Sequence, residues 1–527
     1  MNSGPTHVKV FADTTRLRGR GWLWLAAFAA ALALYVLTLS PDLTWQDSGE
    51  YQRTAAQLTW PPGTHTVWCR PGEAVRVHPW FLVTARALAL PGTWNYAYAA
   101  NLSSAVAMAL AAANVVLLVY LMTRLRWAAA VAGLAFALGH TVWMFGVMSE
   151  VLGWTAAFLS AECLCAWVWS QRRQGRWWLL LFFLNGVALS NHLMAVFSAG
   201  VFAVWLLIEC IRRRTPGWVL PAAGGLWLAG GALYWIVLGV EYARTGGLAE
   251  TLLSATVGGF AARVSNLSSL AGLLGKSVLY VGLNYPTPVG LAGLAAVVVL
   301  CRRRDAFSWV LLALASVYFL WAARYNVPDQ FSFFVPFYVL ASVLIGIGVA
   351  AIAARRGRWV VPVCLVLAVV PVVVYAVLPH VARQAGFVFF KRELPYRDPY
   401  TYFLRPWKCG DYGARRFAEE VLDVLPERGI LLPDTTASTP LKCVHDVEGV
   451  RPDVLIVDGY DVKFVPSLRP FWGTDASILS GPLAAGRRVF VTSDVPGYLP
   501  KWVGPQSRLE PVGPVFEVIS PRAEEAP

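Results

Sequence analysis

The sequence predicts an all-α polytopic membrane protein with about eleven transmembrane helices and a small C-terminal extracytoplasmic α/β domain. Of the 527 residues, 57% are hydrophobic and only 14% are charged, too few charges to cover the surface of a soluble chain of this length. Many apolar runs also approach the roughly 20 residues that a helix needs to cross a bilayer. This composition excludes a soluble enzyme, a disordered chain and a disulfide-rich secreted module.

Eleven apolar runs are candidate membrane helices, because lipid offers no partner to an unpaired backbone group. They are Trp22–Leu39, Ala97–Met122, Trp127–Val147, Val151–Ser170, Trp177–Ser190, Leu193–Ile211, Trp218–Val240, Val289–Leu300, Phe307–Ala322, Phe331–Ala353 and Trp359–Leu378. The fifth and eighth of these runs are short for a full crossing. The stretch Glu241–Tyr285 is polar and Gly-rich, so we expect amphipathic or re-entrant helices there.

The net charge of +13 indicates the orientation in the membrane, since Lys and Arg concentrate in cytoplasmic loops. The basic clusters fall in alternate connections: Arg16/Arg18/Arg20, Arg124/Arg126, Arg172/Arg173/Arg176, Arg212–Arg214, Arg302–Arg304 and Arg355/Arg356/Arg358. Residues 1–20 are therefore expected to be a cytoplasmic tail, followed by a retained first helix. This placement favours contact with anionic lipid headgroups and excludes a nucleic-acid partner.

Residues 21–380 are expected to form the membrane domain, with a long first outer loop at 40–96, and residues 381–527 a soluble domain. In the latter, Gly429–Pro433, Asp453–Asp458 and Arg488–Thr492 read as buried strands and Arg415–Val424 as a helix. Alternating strands and helices are typical of a small α/β unit. Cys409 and Cys443 lie in this domain, as a disulfide or as two free thiols.

Ionisable and polar side chains gather on the outer side of the membrane half, where such groups are usually kept for function. Asp47 and Glu50, three residues apart, form either a catalytic acid pair or a helix-capping box. For the other positions the structural alternatives are a turn at Asn191–His192 and helix starts at Glu150 and Asp329. His140, within a helix, is expected to be packed or hydrogen-bonded. The acid pair and its neighbours are therefore the candidate site.

Several stretches together resemble a known family. They are LTLSPDLTWQDSGEYQRTA, RVHPWFLVTARAL, NLSSAVAMALAAA, MSEVLGW, GVALSNHLMAV, YNVPDQFSFFVPFYVL and ILLPDTTASTPLKCVHDVEGVRPDVLIVD. The chain resembles the multispanning proteins related to the vertebrate O-mannosyltransferase that modifies receptor IPT domains. That family belongs to the GT-C superfamily of membrane glycosyltransferases. The resemblance runs over most of residues 20–460 and implies a GT-C fold.

The resemblance also implies roles for individual residues. Asp47 and Glu50 take the places of the family's first-loop Asp and Glu, with Asp47 as the expected base. The expected substrate and donor-phosphate binding residues are Arg53, His78, Glu150, Asn191, His192, Lys276, Arg324 and Asp329. The chain departs from the family pattern at Trp80-Phe81, which replaces Pro-Gly after His-Pro. It departs again at an insertion, Pro61–Val77, and at Asp434-Thr435-Thr436-Ala437, which replaces a Gly-Asp-Asn-Asp-like turn.

The expected activity is transfer of a sugar, by resemblance mannose, from a polyprenyl-phosphate donor to an acceptor hydroxyl on the outer face. A protein Ser or Thr is the expected acceptor, and a glycan is the alternative. No cofactor is expected, and a divalent metal is not favoured because no third acid lies near Asp47 and Glu50. A bacterial cytoplasmic membrane is the expected location. The competing hypotheses are a transporter or flippase of a lipid-linked substrate, and a non-catalytic scaffold.

Overall fold

A computed structural model describes residues 20–58, 77–93, 95–256, 270–388, 392–459, 486–501, 503 and 507–519. The expected cytoplasmic tail lies outside the described residues apart from Arg20. Nearly all of the insertion Pro61–Val77 and the middle of Glu241–Tyr285 lie outside them as well.

The described part of the membrane half is helical. Its helices are α1 Gly21–Leu37, α2 Gln46–Ala56, α3 Pro79–Ala89, α4 Tyr96–Thr123, α5 Arg126–Ala137, α6 His140–Gly146, α7 Leu152–Arg172, α8 Arg176–Asn191, α9 Ala195–Ile211, α10 Val219–Gly230, α11 Ala232–Thr245, α12 Leu248–Thr256, α13 Leu270–Asn284, α14 Ala292–Arg303, α15 Ala306–Arg324, α16 Val335–Arg356, α17 Val360–Val369 and α18 Pro371–Gln384. Short 3₁₀ turns at Pro288–Leu291 and Gln330–Phe334 precede α14 and α16.

The described helices make the chain a multi-pass membrane protein, but the expected count of eleven crossings is not confirmed. Five spans are long and apolar enough to cross a bilayer: α4, α7, α15, the 3₁₀ turn with α16, and α17 with α18. The number rises to eight if the bent pairs α5–α6, α10–α11 and α13–α14 each count as one span. Two further apolar helices, α1 and α9, are shorter.

The bent pairs correct the expectation of straight helices at two places. Trp127–Val147, expected as one run, is broken at Gly139, where α5 and α6 meet at 69°. The run Trp218–Val240 is likewise broken at Gly231, with a bend of 65° between α10 and α11. Apolar composition shows that a segment is buried or in lipid, but it does not show where a single residue interrupts the helical hydrogen bonds.

Helix α4 forms the centre of the membrane half. It is buried along most of its 28 residues and packs against α1, α5 and α7. Its many Ala residues allow the close helix approach that replaces the hydrophobic effect inside a bilayer. The asparagine Asn101 in this helix holds the first loop, because its Nδ2 donates to the carbonyl oxygens of Ser40 (2.9 Å) and Asp42 (3.1 Å).

The C-terminal part contains a five-stranded mixed sheet. Its strands are β1 Ile430–Leu432, β2 Leu455–Ile456, β3 Val489–Val491, β4 Arg508–Val512 and β5 Val515–Ile519, in the order β2-β1-β3-β5-β4. Its helices are α19 Pro399–Leu404, α20 Gly413–Val424 and α21 Thr435–Lys442, and a π-helical turn follows at Cys443–Val447. β1, β2 and β3 lie within the three stretches that read as strands and pair in parallel.

The C-terminal part that contains the sheet, called the sheet half below, shares one hydrophobic cluster with the membrane half. Phe417 of α20 packs on Trp45, which precedes α2, with ring centroids 5.3 Å apart. Because β1, β2 and β3 are parallel, the residues after them meet at one edge of the sheet. Those residues include Asp434, Asp458 and Thr492, and this edge faces the first loop.

Cys409 and Cys443 are free thiols, the first exposed and the second buried.

Candidate active site

A cavity of about 650 Å³ lies between the first loop, the outer ends of the membrane helices and the sheet edge. Of the residues expected at the site, six line it. They are Asp47, Glu50, His78, Glu150, His192 and Asp329. These six residues are spread over 283 positions of the sequence, and the tertiary structure brings them together around one cavity.

Asp47 lies in the first turn of α2 and is exposed to the cavity. The residue at the N-cap is Trp45, and no side chain caps the helix, so the capping-box alternative for Asp47 and Glu50 is wrong. The preceding residue, Gln46, has a φ of 58°, in the left-handed region that non-glycine residues rarely occupy. Such backbone strain is common next to functional groups, where the surrounding structure holds it in place.

Glu50 is held by a neighbour on its own helix. Arg53 binds both carboxylate oxygens of Glu50, with Nη2 at 2.9 Å and Nε at 3.1 Å. The same guanidinium reaches Asp446 in the C-terminal part at 3.4 Å. Arg53 does not line the cavity, so its observed role is to orient Glu50 and to join the first loop to the sheet half.

His78 and His192 form a stacked pair, with ring centroids 5.1 Å apart and an angle of 13° between the planes. The Nδ1 of His78 lies 2.7 Å from the carbonyl oxygen of Asn191, which can only accept, so this nitrogen carries a proton. The Nδ1 of His192 accepts from the backbone N–H of Met194 at 3.1 Å. The neutral His192 ring therefore carries its proton on Nε2.

Burial lowers the pKa of His192 to about 3, and the neighbouring His78 adds to the shift. The His192 ring is therefore neutral near pH 7 and supplies an Nε2–H donor rather than a positive charge. A neutral donor of this kind can bind a phosphate oxygen or a sugar hydroxyl.

Glu150 follows α6 and lies beside two other carboxylates. Burial raises its pKa well above the usual range, and the nearby negative charges of Asp47 and Asp329 raise it further. The folded protein therefore favours the neutral form of the Glu150 carboxyl. It does not cap α7, whose N-cap is Val151, so the helix-start alternative does not account for its position.

The other residues that the sequence analysis expected at the site do not line the cavity. Asn191 is fully buried and ties α8 to α7, since its Nδ2 donates to the carbonyl of Val151 (2.9 Å) and to Thr155 Oγ1 (3.0 Å). Lys276 on α13 and Arg324 at the end of α15 are exposed and do not line the cavity. His140 is buried as expected, with Nε2 2.8 Å from the carbonyl oxygen of Phe403.

Comparison with known proteins shows which family part of the chain resembles and which fold the chain has. Residues 47–215 match the family described as the N-terminal domain of the protein O-mannosyl-transferase TMEM260. The fold is similar to that of ArnT from Cupriavidus metallidurans in the apo state, with a TM-score of 0.60 at 16% identity over 94% of this chain and 97% of ArnT. ArnT is a GT-C glycosyltransferase. This chain has the GT-C fold.

Two further structures are similar. ArnT from Cupriavidus metallidurans bound to undecaprenyl phosphate gives a TM-score of 0.53 at 16% identity, over 97% of this chain and 100% of ArnT. The archaeal oligosaccharyltransferase AglB from Archaeoglobus fulgidus, in complex with an inhibitory peptide and a dolichol-phosphate, gives 0.48 at 13% identity, over 90% and 69%. The resemblance to the GT-C superfamily, and to the O-mannosyltransferase family within it, is confirmed.

The cavity also contains residues of the C-terminal part that the sequence analysis did not single out. Arg397 is the only Lys or Arg that lines the cavity within the described segments of the chain. Its guanidinium lies 4.3 Å from the ring centroid of Tyr402 and 5.9 Å from that of Trp45. The signal was the run YRDPYTYFLRPW, in which Arg alternates with aromatic residues.

A second missed feature is a polar surface on α21 and after β2. We call it the polar wall, and it consists of Thr435, Ser438, Thr439 and Asp458.

Across the segments that the structure describes, no group of three or more His, Cys, Asp or Glu side chains is arranged to hold a metal ion.

Proposed function

We propose that this protein transfers mannose from a polyprenyl-phosphate donor to the hydroxyl of a protein Ser or Thr on the outer face of the membrane. The observation that carries the proposal is that Asp47 and Arg397 line the same cavity. An exposed carboxylate can take a proton, and a guanidinium can bind a phosphate. The family match to a protein O-mannosyl-transferase supports the sugar and the acceptor, and ArnT bound to undecaprenyl phosphate supports the lipid carrier.

In the proposed step, the Asp47 carboxylate accepts the proton of the acceptor hydroxyl. The oxygen then bonds to the anomeric carbon, while the bond from that carbon to the phosphate oxygen breaks. The electron pair leaves with the polyprenyl phosphate, which is stable as an anion, so no strong acid is required. Glu50, fixed by Arg53, orients the acceptor beside Asp47.

Arg397 is the proposed partner of the leaving phosphate. Arg397 is only 9% exposed and lines the cavity, and a guanidinium can form two parallel hydrogen bonds to a phosphate. The interaction with the phosphate would strengthen as negative charge develops on the leaving oxygen. The Nε2–H of His192 adds a neutral donor on another side of the cavity.

The lipid chain is proposed to lie along the apolar side of the cavity. Met144, Phe197, Trp321, Phe331 and Phe333 line this side and come from the membrane helices and the 3₁₀ turn before α16. Their rings and methyl groups match an isoprenoid chain, whose transfer from water to such a surface is favourable. The acidic pair then lies between the lipid side and the C-terminal part.

We propose a location in a bacterial cytoplasmic membrane, with the cavity and the sheet half outside. The support is the position of the Arg clusters, which follow the ends of α4, α7, α9, α14 and α16, away from the cavity. Positive charge at such loop ends favours the cytoplasmic side. Cysteine labelling from either side of the membrane, at Thr38 for the outer side and at Gly357 for the inner, tests the orientation.

The test of the proposed chemistry is Asp47→Asn in the purified full-length protein. The amide keeps the shape of the carboxylate but cannot accept the proton. We expect wild type to transfer labelled mannose from polyprenyl-phosphate mannose to protein, with chelator present, and the variant to lose at least about 100-fold in rate. Transfer at the wild-type rate by the variant would refute the base assignment. Loss of wild-type activity in EDTA would refute the metal-free mechanism.

A further inference from the structure

We propose that the polar wall is the binding surface for a peptide acceptor, so that the sheet half selects the protein substrate. This inference rests on the proposed function and specifies the acceptor subsite. The polar wall lies in the same cavity as Asp47 and at the carboxyl edge of the parallel strands, where open α/β sheets bind their ligands.

The hydroxyl groups of the polar wall share one face of α21. Thr435, Ser438 and Thr439 are spaced three and four positions apart, which places them on the same side of a helix. A hydroxyl both donates and accepts hydrogen bonds, so this face can bind peptide N–H and C=O groups alike. Such a surface suits the backbone of an extended peptide without requiring a particular side chain.

Asp458 adds an acceptor-only group to the polar wall. Ser438 Oγ donates to its Oδ2 at 2.9 Å, and Lys442 Nζ lies 3.0 Å from the same oxygen. The carboxylate and the ammonium are both nearly buried and balance each other's charge. Together with Lys442, the polar wall is therefore electrically neutral, in contrast to the side with Arg397, and favours a neutral polar ligand over an anion.

Thr439 supplies a second, independent observation. The residue is 7% exposed, and its Oγ1 has no hydrogen-bond partner among the residues that the structure describes. A buried hydroxyl without a partner costs free energy that a ligand can recover. Thr439 lies directly against Gly49, between Asp47 and Glu50 in the sequence, so a ligand bound here is next to the proposed base.

The arrangement divides the cavity between the two substrates. The aromatic and apolar side comes from the membrane helices, and the polar wall comes from α21 and the end of β2. Helix α2 packs against α21, so the acidic pair stands at the boundary between them. The base must contact the acceptor hydroxyl while the anomeric carbon of the sugar is held in line with that hydroxyl. A position at this boundary meets both requirements.

The experiment compares Thr435→Val with Thr436→Val in the full-length protein. Thr435 lines the cavity and is exposed to it, whereas Thr436, the next residue on α21, does not line it. Both substitutions replace one hydroxyl by a methyl group. The acceptors are two synthetic peptides with one central Thr, flanked by Lys in one and by Glu in the other, and the donor is polyprenyl-phosphate mannose.

We expect Thr435→Val to raise the peptide KM roughly 3- to 10-fold, the loss of one hydrogen bond, with the donor KM unchanged. Thr436→Val should stay within about 2-fold of wild type. A charged variant, Thr435→Glu, should disfavour the Glu-flanked peptide relative to the Lys-flanked one by at least about 5-fold. A selectivity change of this kind does not arise from partial unfolding.

Unchanged peptide KM and unchanged selectivity in both Thr435 variants would overturn the inference. Transfer by wild type to glycan or lipid, but to neither peptide, would overturn the peptide acceptor while leaving sugar transfer intact. If wild type consumes no donor under any condition, the proposed function itself fails, and the inference fails with it.

Discussion

Gly49 of α2 and Thr439 of α21 approach so closely that a Cβ atom on Gly49 would lie 2.7 Å from Thr439 Oγ1. The same Cβ would lie 2.4 Å from the backbone oxygen of Thr44, which has little freedom to move. Cys443 Sγ also donates to the carbonyl oxygen of Gly49, at 3.5 Å. The helix that contains Asp47 is therefore docked on the sheet half through a glycine.

Gly49→Ala is expected to separate α2 from α21. The added methyl group has no space, and overpacking of this kind costs about 1–3 kcal/mol. We expect a lower melting temperature in detergent and a loss of transfer, because the acidic pair moves. Gly224→Ala is the matched control, since a Cβ there meets nothing within 4 Å. Equal melting temperatures for the two variants would contradict the close docking.

Arg397→Gln is expected to raise the KM for polyprenyl-phosphate mannose by about 10- to 100-fold. The variant loses a charged hydrogen bond to phosphate, which contributes about 1.5–3 kcal/mol. Arg324→Gln is the matched comparison, because Arg324 is exposed and does not line the cavity. Initial rates against donor concentration decide between the two cations. A larger effect at Arg324 than at Arg397 would return the phosphate site to Arg324, one of the residues that the resemblance implied.

Glu150→Gln tests whether the folded protein favours the neutral form of the Glu150 carboxyl. Because the native state raises the pKa of Glu150, it holds the proton more tightly than the unfolded state does. The stabilising effect of Glu150 is then fully present below the ordinary carboxyl pKa of about 4.3 and is lost as the pH rises. We expect the melting temperature of wild type, minus that of Glu150→Gln, to fall steadily above about pH 4. A difference that rises with pH would mean that Glu150 is ionised in the folded protein.

His192 is expected to act as a neutral donor throughout the physiological range. His192→Ala should lower kcat/KM for the donor by roughly 10-fold, whereas His192→Gln, which keeps an N–H group, should lower it less. Because the pKa of His192 is about 3, the pH profiles of wild type and His192→Gln should have the same shape between pH 5 and 8. Loss of an inflection near pH 6.5 in the Gln variant would show that His192 titrates there.

The sequence reading located the elements better than it located their contacts. Asp47 and Glu50 were identified as a pair on one helix, and α2 has them there. The alternation of strand and helix after residue 429 placed β1, β2 and β3 within the right stretches. Both patterns are local, since they depend on residues a few positions apart.

The breaks inside membrane segments could not be read in the same way. Gly139 and Gly231 lie in apolar runs that are continuous in composition, yet the helices bend there by 69° and 65°. Hydropathy averages over a window, and the backbone conformation of one glycine does not change that average. The sequence likewise could not show which arginine lines the cavity. Arg324 and Arg397 are both next to aromatic residues in the sequence, and only Arg397 lines the cavity.

The sequence by itself determined that the chain is a multi-pass membrane protein, that it resembles the GT-C transferases, and that its first-loop acids are its most notable side chains. The first and third conclusions follow from composition and local pattern, and the resemblance follows from the motifs quoted above. Only the tertiary structure decided that Arg397 and the polar wall share a cavity with Asp47, which precedes them by more than 300 positions. Contacts over such separations depend on how helices and sheet pack, and no local pattern encodes that packing.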